Sequence, residues 1–237
     1  RYESSAASDV YKRQLSGCGV FDGSEIHESV STLICLRKNS IDYECTSLNM
    51  DMYHVLNHTN GKEINEKRNV LIESSRISRG KITDLSTIKY EKFDCLVIPG
   101  GFGVAKNLSS WALEEVDCTI HPDVKKLILH FFDLKKPILS LCVSPTIVAK
   151  SLLNKAKDLK LTIGSTQHAS EYNISEFQTA LKQMDVNTIN CSIKEVCVDK
   201  KNRVISAPCY MMEANIDEVF DNISLAIIEL KKLLQKN

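Results

Sequence analysis

This sequence predicts an α/β protein with a mostly parallel sheet sandwiched between helices, on three observations. Strand-like and helix-like stretches alternate along the chain. Apolar runs stop abruptly in glycine- or cysteine-marked turns at 16–19, 99–103 and 141–143. The length of 237 residues suits one large domain, and nothing in the chain marks a division. In a parallel sheet the three turns emerge together at the carboxyl edge, where such folds bind their ligands.

The elements follow in order. Residues 24–38 carry Ile26, Val30, Leu33, Ile34 and Leu36 near helical period, with Ser24 placed to cap the helix. Residues 42–48 alternate like a strand, and 69–79 form a short helix carrying Glu73, Arg76 and Arg79. A buried strand over 93–98 is stopped by Pro99-Gly100-Gly101. His121-Pro122-Asp123 opens an amphipathic helix to Leu134. Next come an apolar strand ending at Cys142, a helix over 146–153, a strand over 159–163 and a helix over 176–184. Residues 196–198 and 204–206 flank Asp199-Lys200-Lys201-Asn202 as a hairpin, and 216–234 closes the chain as a long helix.

Residues 1–14 (RYESSAASDVYKRQ) are set apart. They begin without methionine, lack apolar periodicity and resemble translated adapter read-through, so a single domain is expected over 15–237. Leu15-Ser16-Gly17 then becomes the tail of a strand whose first half has been lost, together with any targeting peptide.

Composition narrows the function classes. Thirty basic residues balance thirty acidic ones, so no electrostatic footprint for nucleic acid or an anionic membrane is present. No apolar run approaches the roughly 18 residues that would span a bilayer. Nine scattered cysteines, an odd number without framework spacing, fit a reducing compartment. Cys118-x-x-His121 and the Cys191/Cys197 pair lack a matching second half, so no metal and no cofactor are expected.

The turn at Cys142 carries the chemistry. An apolar strand ends in one cysteine and a helix starts at once, the pattern of a nucleophile elbow. The helix's first N–H groups would face the sulfur and favour thiolate. Glycine lets the chain at Gly100 and Gly101 approach a substrate closely, offering N–H donors to an oxyanion, with Val143 N–H as the second donor. Glu25, taken to lie in the first turn of the 24–38 helix, is the expected acid–base partner. Beside a thiolate its pKa would rise and it could share the sulfur's proton. His27 and Glu28 are expected on other faces of that helix.

The segments 17–28, 68–77, 98–108 and 141–145 together resemble the ElbB family. This is the glyoxalase-like, isoprenoid-biosynthesis-associated branch of the PfpI and parkinsonism-associated deglycase superfamily, also described as class I glutamine amidotransferase-like. The likeness runs from about Leu15 to the C-terminus, through Ala207-Pro208-Cys209-Tyr210-Met211, where the family usually has alanine for Cys209. It implies a flavodoxin-like α/β/α sandwich, a nucleophile at Cys142, its glutamate partner at Glu25 and oxyanion donors at Gly101 and Val143. Asp22, His27, Glu73, Arg76 and Asn107 fall in the same blocks and are expected to line the site. The chain departs from several relatives in having no histidine directly after Cys142 or in 161–165, and His168 comes a few residues late.

The resulting expectation is a metal-free, glutathione-independent glyoxalase-like enzyme taking a small dicarbonyl to a 2-hydroxy acid, glyoxal to glycolate. The alternative is a redox-sensing or binding protein whose elbow cysteine is oxidised rather than turned over. A nucleotide loop at Gly17-x-Gly19 fails at Asp22, where a glycine is needed. The superfamily's habit of self-association makes a homo-oligomer an expectation. The expected compartment is the cytoplasm, or the mitochondrial matrix for a eukaryotic source.

Overall fold

The computed structural model describes residues 10–235, with side chains from residue 14 onward. Seven strands form one sheet: β1 (Val10–Gln14), β2 (Asp42–Ser47), β3 (Ile82–Asp84), β4 (Cys95–Ile98), β5 (Ile138–Leu141), β6 (Cys197–Asp199) and β7 (Val204–Ala207). Their order is β6-β7-β5-β4-β1-β2-β3, and every pairing is parallel except β6 with β7 at one edge. β4 and β5 are buried along their whole length, and their apolar character, broken only at Ser140, follows from helices covering both faces.

Among the helices that position the site are α1 (Ile26–Lys38), α2 (Val70–Ile77), α3 (Phe102–Lys106), α4 (Pro122–Asp133), α5 (Pro145–Leu152), α6 (Ile174–Gln183) and α7 (Ile216–Leu234). α1 packs along α7 and α4 along α5, giving the three-layer sandwich. His121 caps α4 by accepting from Asp123 N–H at 3.3 Å, so this histidine has a structural task.

Three expectations change. The strand expected over 159–163 shortens to Lys160–Leu161 and pairs in parallel with Asn187–Thr188, outside the main sheet. The helix expected from Ser24 starts at Ile26, and its face is rotated from the apolar pattern. Ile26, Val30 and Ile34 are 42%, 39% and 45% exposed, while Glu28, Ser29, Thr32, Cys35 and Leu36 are buried. Thr32 Oγ1 donates to Glu28 O at 2.7 Å, a local bond that lets a polar side chain sit on the inner face.

The third change concerns the segment set apart. Residues 1–9 lie outside the described residues, but Val10–Gln14 forms β1 and fills the central slot between β2 and β4. Parallel backbone pairing on both sides, Tyr11 with Tyr43 and with Cys95, holds this segment in the sheet. The strand's last residue is polar and buried. Gln14 is 1% exposed, its Nε2 donates to Leu15 O at 2.8 Å, and its Oε1 is a buried acceptor with no partner. An unsatisfied buried acceptor costs about 1–3 kcal/mol. Gln14→Leu should therefore raise stability by about 1 kcal/mol, read as a higher urea midpoint at unchanged slope. A lower midpoint would show that the amide contributes more than its unpaired oxygen costs.

Candidate active site

The elbow after β5 is fixed by hydrogen bonds on every side. Cys142 N–H donates to Ala207 O at 2.9 Å, tying the turn to the end of β7. The Ser144 hydroxyl accepts from Leu141 N–H and donates to Ile98 O, both at 2.8 Å, which locks the ends of β4 and β5 together. Cys142 is held at φ 56°, a left-handed conformation uncommon for a side-chain-bearing residue and typical of an elbow nucleophile. Backbone N–H groups of Gly101 and Val143 both donate to its sulfur.

The carboxyl hydrogen-bonded to that sulfur belongs to Glu28. This corrects the expected pairing of Cys142 with Glu25, and the reason is helix register. α1 starts at Ile26, so Glu25 is the residue before the helix and not a member of its first turn. Its Oε2 turns back to accept from Glu28 N–H at 2.6 Å, satisfying one of the helix's orphan donors. Glu28, three residues on, faces the sheet and is fully buried. Its Oε2 accepts from Gly100 N–H at 3.0 Å and its Oε1 from Tyr210 N–H at 3.4 Å. Sequence periodicity hid this residue because the apolar stripe pointed to the opposite face.

Burial sets the protonation of the pair. The Glu28 carboxyl is pushed up to about 8, chiefly by burial and then by the charge of Glu25. The Cys142 thiol is raised as well, first by burial and then by Glu28, against the pull of the Gly101 and Val143 donors. The expected thiolate-favouring elbow is corrected accordingly: the donors are in place, but burial outweighs them and the resting sulfur keeps its proton. Glu25 is raised by burial, offset in part by the N–H groups it caps and by His27.

The cavity at the sulfur is lined by Val20, Glu25, Phe102, Tyr172, Tyr210 and Met211 among others, and holds about 20 Å³. That is room for roughly one water. Val20, Glu25, Tyr172 and Tyr210 also line a neighbouring vestibule of about 380 Å³ that takes in His27, Glu171 and Glu213. His27 Nδ1 lies 2.8 Å from Tyr210 Oη and 4.0 Å from Glu25 Oε1. Burial, then Glu25 and Glu28, push the Tyr210 phenol up to about 12. Tyr172 and Tyr210 are site residues that the sequence reading did not single out.

The structure thus gathers Cys142, Glu25, Gly101 and Val143 around one cavity, with Gly100 behind the sulfur and His27 in the vestibule. The other expected lining residues do not line either space. Asp22 is buried and accepts from Leu56 N–H at 2.8 Å, pinning a surface strap. Asn107 donates to Ser16 O and Asp22 O and accepts from Tyr53 N–H, each at 2.9 Å, so its polar groups are engaged in joining loops. Glu73 pairs with Arg76 at 2.8 Å on α2, beside Cys18. These four shared motif blocks with the site because they hold its loops together. Among the described residues no three His, Cys, Asp or Glu side chains group to hold a metal ion.

The mitochondrial ES1 protein homolog of Rattus norvegicus is 34% identical over 224 residues, covering 94% of this chain and 83% of its own length. The chain belongs to the ElbB/ES1 family. The human member, glutamine amidotransferase-like class 1 domain-containing protein 3, mitochondrial, is also 34% identical, over 94% of this chain and 82% of its own. Among solved structures, an isoprenoid biosynthesis protein with amidotransferase-like domain from Ehrlichia chaffeensis superposes with a TM-score of 0.84 at 33% identity, over 94% of this chain and 99% of that one. Glyoxalase III of Candida albicans shares the fold of this ElbB/ES1 chain at a TM-score of 0.60 and 11% identity, over 94% and 97% of the two chains. No family model matches the chain.

Two outcomes test this geometry. A Cβ placed on Gly100 would lie 2.6 Å from Glu28 Oε2 and 2.9 Å from Cys142 Sγ, so Gly100→Ala must push the pair apart. We expect a loss of about 1–3 kcal/mol in urea unfolding; an unchanged midpoint would contradict the close approach. Glu28→Gln removes the charge that raises the thiol, so iodoacetamide should label Cys142 at lower pH than in the parent protein. A labelling profile unmoved or shifted upward would mean that Glu28 does not act on the sulfur.

Proposed function

We propose that this chain is a glutathione-independent, glyoxalase-like enzyme acting on small dicarbonyls, with Cys142 as nucleophile. One observation carries the reading: a buried sulfur meets a carboxyl and two backbone N–H donors beside a cavity with room for about one water. A space that small admits the reacting carbonyl and leaves the rest of a small substrate to the neighbouring vestibule. Sharing a fold with a glyoxalase III adds support at the level of the superfamily.

In the proposed reaction the ionised form of Glu28 takes the thiol proton as sulfur attacks one aldehyde carbon, and returns it to the resulting oxyanion to give a hemithioacetal. A carboxyl whose pKa is near neutrality suits that exchange. The Gly101 and Val143 N–H groups, already aimed at the sulfur, would hold the developing oxyanion. Glu25, on the cavity wall, would move the proton from the attacked carbon to its neighbour, giving a thioester that water cleaves to glycolate. The two carboxyls divide the work by environment, one turned to sulfur and one to substrate. The mitochondrial names of the rat and human relatives support a mitochondrial setting for a eukaryotic chain.

The redox-sensing alternative calls for a resting thiolate, since susceptibility to peroxide follows thiolate character. Burial raising the Cys142 thiol weighs against it.

Purified protein given glyoxal, without glutathione or metal, should form glycolate, and Cys142→Ser should abolish it. Glu25→Gln should leave Cys142 open to alkylation yet lower turnover by about 10²-fold or more. Product formation that persists in Cys142→Ser would assign the activity to another group.

A further inference from the structure

Resting on Cys142 as nucleophile, the proposed route ends in a thioester that must be hydrolysed, and no histidine directly follows the cysteine to activate water. An imidazole nevertheless stands at the site, supplied by a different element. His27 projects from the first turn of α1, and its Nδ1 lies 2.8 Å from Tyr210 Oη. Tyr210 lines the inner cavity with Cys142 as well as the vestibule that holds His27. The tyrosine therefore bridges the space where an attacking water would stand and the ring that could accept its proton. Its backbone N–H also donates to Glu28 Oε1, which fixes its place relative to the sulfur's own partner.

We propose that Tyr210 and His27 form the deacylation unit of this site, so that the protein can hydrolyse acyl groups carried on Cys142. The water oxygen attacks the thioester carbonyl and yields a proton to Tyr210 Oη as that hydroxyl passes its own to His27 Nδ1. The C–S bond breaks, the sulfur takes the proton held by Glu28, and His27 returns a proton to the carboxylate through vestibule water. Atoms balance as thioester plus water giving acid plus thiol, with no change of oxidation state. Tyr210 serves as the catalytic group at the water and His27 as a positioning residue acting through it. A phenol pushed up to about 12 stays protonated near neutral pH, as a relay requires.

The capacity is wider than glyoxal chemistry, so an activated ester tests it separately. With 4-nitrophenyl acetate, the acetyl carbonyl would reach the sulfur through the inner cavity and the aromatic leaving group would lie in the vestibule. The full-length protein should release a stoichiometric burst of nitrophenolate, then a slow steady state set by deacylation. Cys142→Ala should abolish the burst. Tyr210→Phe, which keeps the ring and the backbone donor to Glu28, and His27→Ala, at an exposed position, should keep burst amplitude and rate. Both should slow the steady state about 10²-fold, with acetylated Cys142 accumulating by intact mass. That split between acylation and deacylation is not what a merely structural role would produce.

Steady-state rates of both variants within threefold of the parent would overturn the proposal, as would the absence of a burst in the parent. Glycolate formation in the parent, with both variants deacylating normally, leaves the glyoxalase reading standing and this one refuted. A burst with the expected split, but no glycolate from glyoxal, supports the deacylation unit and removes the glyoxalase reading.

Discussion

The buried carboxyl of Glu28 is the constraint on which the rest of this site depends. It takes hydrogen bonds from the loop after β4 through Gly100, from the segment after β7 through Tyr210, and shares a third with Cys142 after β5. One side chain thus gathers α1 and three strand ends at a single point. Placing a carboxyl there has a cost in desolvation, and the chain meets it by letting the group keep its proton.

That choice accounts for the state of the sulfur. Two backbone donors alone would favour thiolate, but burial acts on thiol and carboxyl in the same direction. Burial favours the neutral form of both groups. The elbow geometry and the raised thiol thus occur at the same residue.

Much of this was legible in the sequence. The strand stops at Pro99-Gly100-Gly101 and Cys142 are local signals, since an apolar run must end where the chain leaves the sheet. Parallel topology then brings both to one edge without further information. The 196–206 hairpin was legible for the same reason, with Asp199 Oδ1 accepting from Asn202 N–H at 2.9 Å to close its turn. What failed was the face of α1. Ile26, Val30 and Ile34 form a stripe that periodicity assigns to the core, yet docking of Cys35 and Leu36 turns it outward and brings Glu28 in. The cap is also Glu25 and not Ser24, which shifts the start of the helix by one residue. That is enough to exchange which glutamate reaches the sulfur. Tyr210 could not be read from sequence, because nothing local ties residue 210 to residue 27.

Glu25 caps α1 and the first turn of the helix carries His27 and Glu28, so three ionisable groups around the site sit at one end of one rigid segment. At its far end, Asn39 O accepts from Lys231 Nζ of α7 at 3.3 Å, and the two helices pack along their length. The groups are therefore mechanically ganged: a slide of α1 against α7 would move all three relative to Cys142 by the same vector. The spacing among them is protected from such motion, whereas their distance to the sulfur is a single adjustable coordinate of the whole fold.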